Sequence, residues 1–309
     1  MNKSRLNLTI GIPAHNEQSN ISNIIGQLLT QSGKSFTLER IVVFCDGCTD
    51  KTADIVKKIA SKDKRVYLVD DERRLGKQGR LEQLFKMSQT DLVFVFDADV
   101  LPVDNSVIEQ MAQQFFEKSV GLVGANSQPL PAQTLFGKLL NSWSHVWYLT
   151  RSNYRNGENI HNSRGCSLAL SHKLASQVIF PPGISSDSQY LYLLSKYKKL
   201  QFRFVKPAIV YYRKPDNLGD YLIQIQRSAP DKNKLVSLFG DWVREEYFIP
   251  GKYKILGFLD ALIHQPLQTI AGAVLNMWLS RLEGQSKYLL GESAWITSPS
   301  TKKAITINS

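Results

Sequence analysis

Two carboxylates, Asp97 and Asp99, close an apolar run, Leu92-Val-Phe-Val-Phe96. Hard oxygen ligands at this spacing suit Mg2+ or Mn2+ that already carries phosphates. Along an extended chain both side chains point the same way, with Ala98 between them. The plain alternative is a strand that ends in an Asp-capped turn into a helix near Val103. Other residues with chemical potential are scattered. Asp46 precedes Gly47 in a tight turn, where a carboxylate can accept from a base or a ribose. Lys77 and Arg80 follow Gly76 at i and i+3, a spacing that faces a diphosphate at a helix start or simply forms a solvated face. Asp50, like Thr49 beside it, reads more simply as a helix N-cap. Cys45-Asp-Gly-Cys48 has the spacing of a redox pair or half a zinc site. No second pair completes it, because Cys166 stands alone, so these thiols read as small loop residues.

Such residues need a scaffold that gathers them. Apolar strand patterns at residues 6–12, 40–44, 66–69 and 92–96 alternate with helical patterns at 21–29, 53–60 and 76–87. This alternation predicts βαβ units on a parallel sheet. The unbroken apolar run at 92–96 predicts a strand buried on both faces. Right-handed crossovers bring the loops that follow the strands to one sheet edge, where open α/β sheets bind ligands. Asn16, Glu17, Asp46, Asp50, Lys77, Arg80, Asp97 and Asp99 then converge by topology.

Composition narrows the classes. The 309 residues are 43% hydrophobic and 21% charged, which excludes a disordered chain and allows a sizeable core. Three cysteines exclude a disulfide framework. No charged and then apolar leader follows Met1, so a cytoplasmic setting is expected. The net charge of +11 is uneven. Residues 1–189 hold 21 Lys/Arg against 18 Asp/Glu, whereas residues 190–309 hold 17 against 9. A basic C-terminal portion points to polyanions such as anionic lipid or phosphorylated substrates. No nucleic-acid-reading module accompanies it, so nucleic acid is not an expected partner.

Ile12-Pro-Ala-His-Asn-Glu17, Cys45-Asp-Gly-Cys-Thr-Asp-Lys-Thr52, Gly76-Lys-Gln-Gly-Arg80 and Asp97-Ala-Asp99 resemble, in this order, the motifs of family 2 glycosyltransferases. The resemblance covers roughly the first 105 residues. It implies the GT-A fold, an α/β class with a mostly parallel sheet flanked by helices, here with a small C-terminal helical region. It also implies a nucleotide-sugar donor and a divalent metal, Mg2+ or Mn2+. By resemblance, Asp46 recognises the base, Asp97 contacts the nucleoside side of the donor, and Asp99 holds the metal that bridges the two phosphates. Pro13, Ala14, Asn16, Glu17, Lys77, Arg80 and Ala98 complete this part of the donor site. The chemistry agrees, because a leaving nucleoside diphosphate needs its developing charge neutralised.

The family's acceptor segment is similar to Asn162-Ser-Arg-Gly165-Cys-Ser-Leu-Ala-Leu-Ser171. Past Pro181-Pro-Gly183, the family carries an acidic pair whose second member is the general base. Ser186 replaces the first acid and Asp187 keeps the second position, which also suits a helix cap. Gln224-Ile-Gln-Arg227-Ser228 resembles the Gln-x-x-Arg-Trp motif of processive synthases, with Ser228 in place of the tryptophan that caps the acceptor sugar. Gln224 and Arg227 are therefore expected at the donor diphosphate, but processive polymer synthesis is not expected.

Residues 261–280 carry no formal charge, yet His264, Gln265, Gln268 and Asn276 are costly in hydrocarbon. The segment fits an interfacial helix pair or a core hairpin better than a bilayer crossing. Residues 135–149 read as a further helix. The expected organisation is a catalytic domain over residues 1–215 and a helical, membrane-interfacial region over 216–309. The expected function is metal-dependent, inverting sugar transfer to a lipid-linked or glycan acceptor, with Asp187 as base, peripherally at the inner face of the plasma membrane. A polyprenyl-phosphate glycosyltransferase is the nearest enzymatic alternative. A non-catalytic donor-binding subunit of a polysaccharide assembly complex is the alternative of another class.

Overall fold

The computed structural model describes residues 5–184, 186–228, 232–286 and 299–305. In chain order its main elements are β1 (Leu6–Ala14), α1 (Ile21–Leu29), β2 (Phe36–Cys45), α2 (Thr52–Ala60), β3 (Val66–Asp70), α3 (Gly76–Met87), β4 (Leu92–Phe96), β5 (Val100–Pro102), α4 (Val107–Ala112), β6 (Val120–Pro129) and α5 (Leu135–Asn153). They continue with β7 (Ser167–Ser171), α6 (His172–Ala175), α7 (Asp187–Tyr197), β8 (Gln201–Tyr212), α8 (Leu218–Ser228), α9 (Lys232–Phe239), α10 (Trp242–Glu246), α11 (Gly251–His264) and α12 (Pro266–Ser286). Two compact units result. One gathers the described residues of Met1–Gln128, Ile160–Tyr212 and Ala304–Ser309, and the other those of Pro129–Asn159 and Arg213–Lys303.

In the first unit one sheet runs β3-β2-β1-β4-β7-β6-β8-β5. The four strands from β3 to β4 are parallel, as their βαβ connections require. Beyond β4 the character changes, because β7 pairs antiparallel with β4 and with β6, and β5 pairs antiparallel with β8. The two central parallel strands, β1 and β4, are buried along most of their length, whereas β2 is buried over its second half and β3 at the sheet edge is mostly accessible. Leu92 to Phe96 is buried throughout. On α1, Ile21, Ile24, Ile25 and Leu28 repeat at helical spacing and are buried in the same core as Ile10, Ile12, Val43 and Phe94.

Four departures from the sequence pattern matter. The second strand begins four residues earlier than its apolar run, with charged Glu39 and Arg40 absorbed where the register with β1 shifts between Leu8 and Thr9. Asp97-Ala-Asp99 is a turn between β4 and β5 rather than an extended continuation of β4. Strand β5 stands where an entry into a helix near Val103 was the alternative, and α4 starts only at Val107. Strand β6 carries Gly121, Gly124 and polar Asn126 and Ser127, a pattern that does not announce a strand by alternation.

In the second unit α11 and α12 both pack on α5. A side chain at Gly257 would approach Thr150 Oγ1 to 2.5 Å and its amide N to 2.8 Å, and one at Gly272 would meet the Leu139 carbonyl at 3.0 Å. Glycine therefore permits these helices to touch backbone to backbone. Leu140, Tyr221 and Leu279 form a small core, and Arg155 pairs with Glu246 at 2.9 Å. Residues 129–159, assigned by sequence to the span 1–215, thus cluster with the C-terminal helices. The chain breaks between α11 and α12 at Gln265, just before Pro266, as proline demands.

Strand β1 and helix α3 are equally close. A methyl group at Gly11 would stand 2.1 Å from Leu84 Cδ2. Gly11→Ala should destabilise the protein by about 1–3 kcal/mol through overpacking. Adding Leu84→Val should recover part of that loss in a double-mutant cycle read by thermal or urea unfolding. Strict additivity of the two variants would contradict this contact.

Candidate active site

Strand β1 ends at Pro13 and Ala14, which pair in register with Phe44 and Cys45 at the end of β2. The Ala14 carbonyl accepts the Asp46 amide at 2.8 Å, so the first two strand ends and their loops are one structure. Asn16 adopts φ +54°, a conformation that asparagine tolerates. Its Oδ1 accepts the Thr49 amide at 2.8 Å. Glu17 is buried and accepts from Asn20 Nδ2 at 3.2 Å. Asp50 accepts the Thr52 amide at 3.0 Å and its hydroxyl at 2.5 Å, but the N-cap position of α2 is Lys51, so Asp50 bonds to the start of the helix from one residue before the cap expected of it. Cys45, Cys48 and Cys166 are free thiols.

The sequence led to the expectation that Arg80 faces a diphosphate. Its side chain is instead fully buried. Its Nε donates to Asp46 at 2.9 Å, its Nη2 to Asp71 at 2.8 Å and to the Cys45 carbonyl at 3.3 Å, and its Nη1 to Asp71 at 3.2 Å. Asp46 also accepts the amides of Leu75 and Gly76 at 2.7 and 3.0 Å. Hydrogen bonds from Arg80 and Arg73 hold the Asp71 carboxyl far below the usual range. A buried guanidinium is tolerable only when its donors are satisfied in this way. The sequence reading passed over Asp71, although it lies just past the third strand end, the position that singled out Asp46 and Asp97.

Lys77 stands at the centre of the site. Its Nζ lies 2.6 Å from Asp97 Oδ1, 3.1 Å from Asp187 Oδ2 and 3.2 Å from the Gly165 carbonyl. Burial disfavours its charge, but Asp187 and Asp97 outweigh that cost and hold the ammonium above its ordinary range. Burial pushes the Asp97 carboxyl up to about 6; Lys77 opposes this and Asp99 adds to it.

Each arm of the cluster is anchored separately. The Asp97 amide donates to the Cys166 carbonyl at 3.2 Å, which ties the turn after β4 to the approach to β7. A side chain at Gly165 would stand 2.9 Å from Lys77 Nζ and 3.4 Å from Asp187 Oδ1, so a larger residue there would push the Lys77 ammonium from its present place. Asp187 opens α7 and reaches Lys77, and the N-cap residue is Ser186. Helix α3 holds the segment before it, since Gln78 Nε2 donates to the Ile184 carbonyl at 2.6 Å and Glu82 accepts the Phe180 amide at 2.7 Å. Arg164, which the sequence reading also missed as a separate feature, lies with its Cζ 4.9 Å from the Tyr212 ring centre. Tyr212 in turn pairs with Val100, the residue after Asp99.

The site therefore brings together Asp97, Lys77 and Asp187, with Ala98 buried beneath and Asp99 partly exposed in the same turn. Gln224 lies on α8 in the second unit, and the Arg227 side chain lies outside the described residues. Among the described residues no group of three or more His, Cys, Asp or Glu is arranged to hold a metal. Mg2+ and Mn2+ in nucleotide sites take one or two carboxylates and keep phosphate and water oxygens as further ligands. Asp97, Asp99 and Asp187 face two cations, Lys77 and Arg164, so one carboxylate charge remains that a divalent cation would offset.

The family model described as glycosyl transferase family 2 matches residues 9–175, more than half of the chain. Glycosyltransferase AglD of Haloferax volcanii is 29% identical over 110 residues, which cover 35% of this chain and 17% of that protein. Poly-β-1,6-N-acetyl-D-glucosamine synthase of Staphylococcus aureus is 26% identical over 133 residues, 43% of this chain and 31% of that protein. The match thus spans less than a third of either relative. Among solved structures, the mannosyltransferase PcManGT of Pyrobaculum calidifontis, in complex with GDP-Man and Mn2+, aligns over 93% of this chain and 82% of its own, with a TM-score of 0.59 at 15% identity. Glucosyl-3-phosphoglycerate synthase of Mycobacterium tuberculosis, in complex with phosphoglyceric acid, aligns over 76% and 80%, with a TM-score of 0.53 at 18% identity. At these identities the structural likeness is one of fold. With the match over residues 9–175 and the ordered strand-end motifs, the chain belongs to glycosyl transferase family 2 and has the GT-A fold.

Proposed function

We propose that this glycosyltransferase moves a sugar from a nucleotide-sugar donor to an acceptor hydroxyl with inversion, using Asp187 as the general base and Asp99 as the metal ligand. The observation that carries this reading is the Lys77 bridge. One ammonium lies 2.6 Å from Asp97, on the donor side, and 3.1 Å from Asp187, so the two carboxylates that the reaction needs stand on either side of one cation. Inversion requires a carboxylate opposite the leaving diphosphate, and in this reading Asp187, at the start of a helix separate from the donor-binding turns, supplies it.

In this mechanism Asp187 takes the acceptor hydroxyl proton as the acceptor oxygen bonds to the anomeric carbon. The bond from that carbon to the diphosphate oxygen breaks, and its electron pair leaves with the nucleoside diphosphate. A divalent cation held by Asp99, when bound, offsets the charge gathering on that diphosphate. Lys77 adds a fixed positive charge beside Asp97 and holds Asp187 in place until the acceptor arrives. Asp46 keeps the base-recognition role assigned by resemblance, and Pro13, Ala14, Asn16, Glu17 and Ala98 shape the donor cradle. Gln224 and Arg227 remain proposed diphosphate contacts. The Arg80 hydrogen bonds support a part in holding Asp46 rather than in meeting the donor. The acceptor is a lipid-linked or glycan hydroxyl, and the enzyme works peripherally at the cytoplasmic face of the membrane. Among the described residues no helix is long and apolar enough to cross one.

Asp187→Asn should leave donor affinity nearly unchanged and lower transfer by roughly 10²–10⁴-fold. Equal losses of affinity and rate, read by calorimetry and single-turnover transfer, would move Asp187 out of the base role. Asp99→Ala should abolish metal-dependent donor binding and transfer with no change in melting temperature. Near-normal turnover of that variant in EDTA would refute the metal assignment. Arg80→Gln should act on stability first, by about 3–5 kcal/mol, because it leaves the buried Asp46 without its cation and Asp71 with Arg73 alone. An unchanged melting temperature together with lost donor affinity would return Arg80 to the donor site.

A further inference from the structure

In the second unit, α11 and α12 bury the wrong faces for ordinary solvated helices. Among the described residues their buried positions are mostly small or polar, Gly257, Ala261, Thr269 and Gly272, and Leu279 is the one large apolar side chain turned inward. Large apolar side chains at helical spacing lie outside: Ile255, Leu259 and Ile263 on α11, and Leu267, Ile270 and Val274 on α12. Ile263 and Leu267, on either side of the break between the helices, are 78% and 82% exposed. An apolar surface of this extent on a folded unit marks an interaction site.

We propose that this outer face docks on a bilayer surface rich in anionic lipid, a partner that rests on and sharpens the membrane-face reading above. Charge selects the lipid. Lys252 and Lys254 are exposed at the start of α11 and Arg281 near the end of α12, so cations frame the apolar stripes. The acidic residue between them, Asp260, is paired with His264 at 3.1 Å. Phosphate headgroups meet such a frame, whereas a second copy of the same face would set Lys252, Lys254 and Arg281 against further cations, with Asp260 already paired to His264. Trp278, 47% exposed, has the amphipathic ring that settles at the headgroup level. His264, Gln265 and Gln268 are exposed around the break and limit the depth, so the helices lie in the interface rather than cross it.

The test is flotation of the full chain with vesicles of phosphatidylcholine alone or with phosphatidylglycerol added, at low and high salt. The protein should float with the anionic vesicles, and high salt should release much of it because headgroup attraction is screened. Substituting serine at both Ile263 and Leu267 should lower binding at least about tenfold, since two exposed aliphatic anchors are lost. Lys252→Gln with Arg281→Gln should remove the salt-sensitive part. Donor hydrolysis without an acceptor should stay normal in both sets of variants, which separates failure of this surface from failure of the catalytic reading. No flotation at low salt, flotation indifferent to the serine variants, or a dimer in light scattering that the serine variants dissolve would each overturn the proposal.

Discussion

One ammonium between two carboxylates organises the chemistry of this protein. Lys77 Nζ lies within 3.2 Å of Asp97, Asp187 and the Gly165 carbonyl, and these groups come from four separate stretches of chain. In a half-buried setting such a cluster is worth its cost only if every arm is held in place, because an unpaired charge there is heavily penalised. The rest of the first unit can be read as a response. Glycine at 165 leaves the necessary space, the turn after β4 is tied to the approach to β7, and Gln78 and Glu82 of α3 fix the segment that leads to Asp187. Asp97 and Asp187 around one cation, with Asp99 in the same turn as Asp97, form an acidic site that suits a donor arriving with a divalent ion.

Arg80 solves a different problem. Three loops follow β1, β2 and β3 at one sheet edge, and polar loops there cannot pack by hydrophobic contact alone. A single buried guanidinium bonded to Asp46, Asp71 and the Cys45 carbonyl joins the second and third of these loops to α3, while Asn16 and the Ala14 carbonyl join the first to the second. Arginine suits this role better than lysine because its planar fork offers several donors in fixed directions.

The parallel half of the sheet could be read from the sequence because its physics is local. Apolar strands and helical stripes alternate, and the crossover rule then brings Asp46, Lys77 and Asp97 to one edge without knowledge of any contact. What could not be read depended on partners distant in sequence. Arg80 at i+3 from Lys77 looks like a second phosphate ligand, and only burial reveals that its charge is already taken by Asp46 and Asp71. Asp97 and Asp99 do share one edge, but through a turn rather than through strand alternation. Strands β5 and β6 escaped notice because three residues are too few for a pattern and because Gly121, Gly124 and Asn126 dilute the other. The uncharged stretch at 261–280 was recognised as interfacial or core, yet the outward direction of its apolar stripe came only with the packing of Gly257 and Gly272 on α5.

Lys77 is the residue on which the account of catalysis turns, because it links the donor side to the base. Calorimetric titration of GDP and UDP into the wild type and Lys77→Met, each with Mn2+ and with EDTA, tests it most directly. At least one nucleoside diphosphate should bind the wild type only with Mn2+, and Lys77→Met should weaken this binding about tenfold or more in a folded protein. Binding that is equally tight in EDTA and unaffected by Lys77→Met would contradict it.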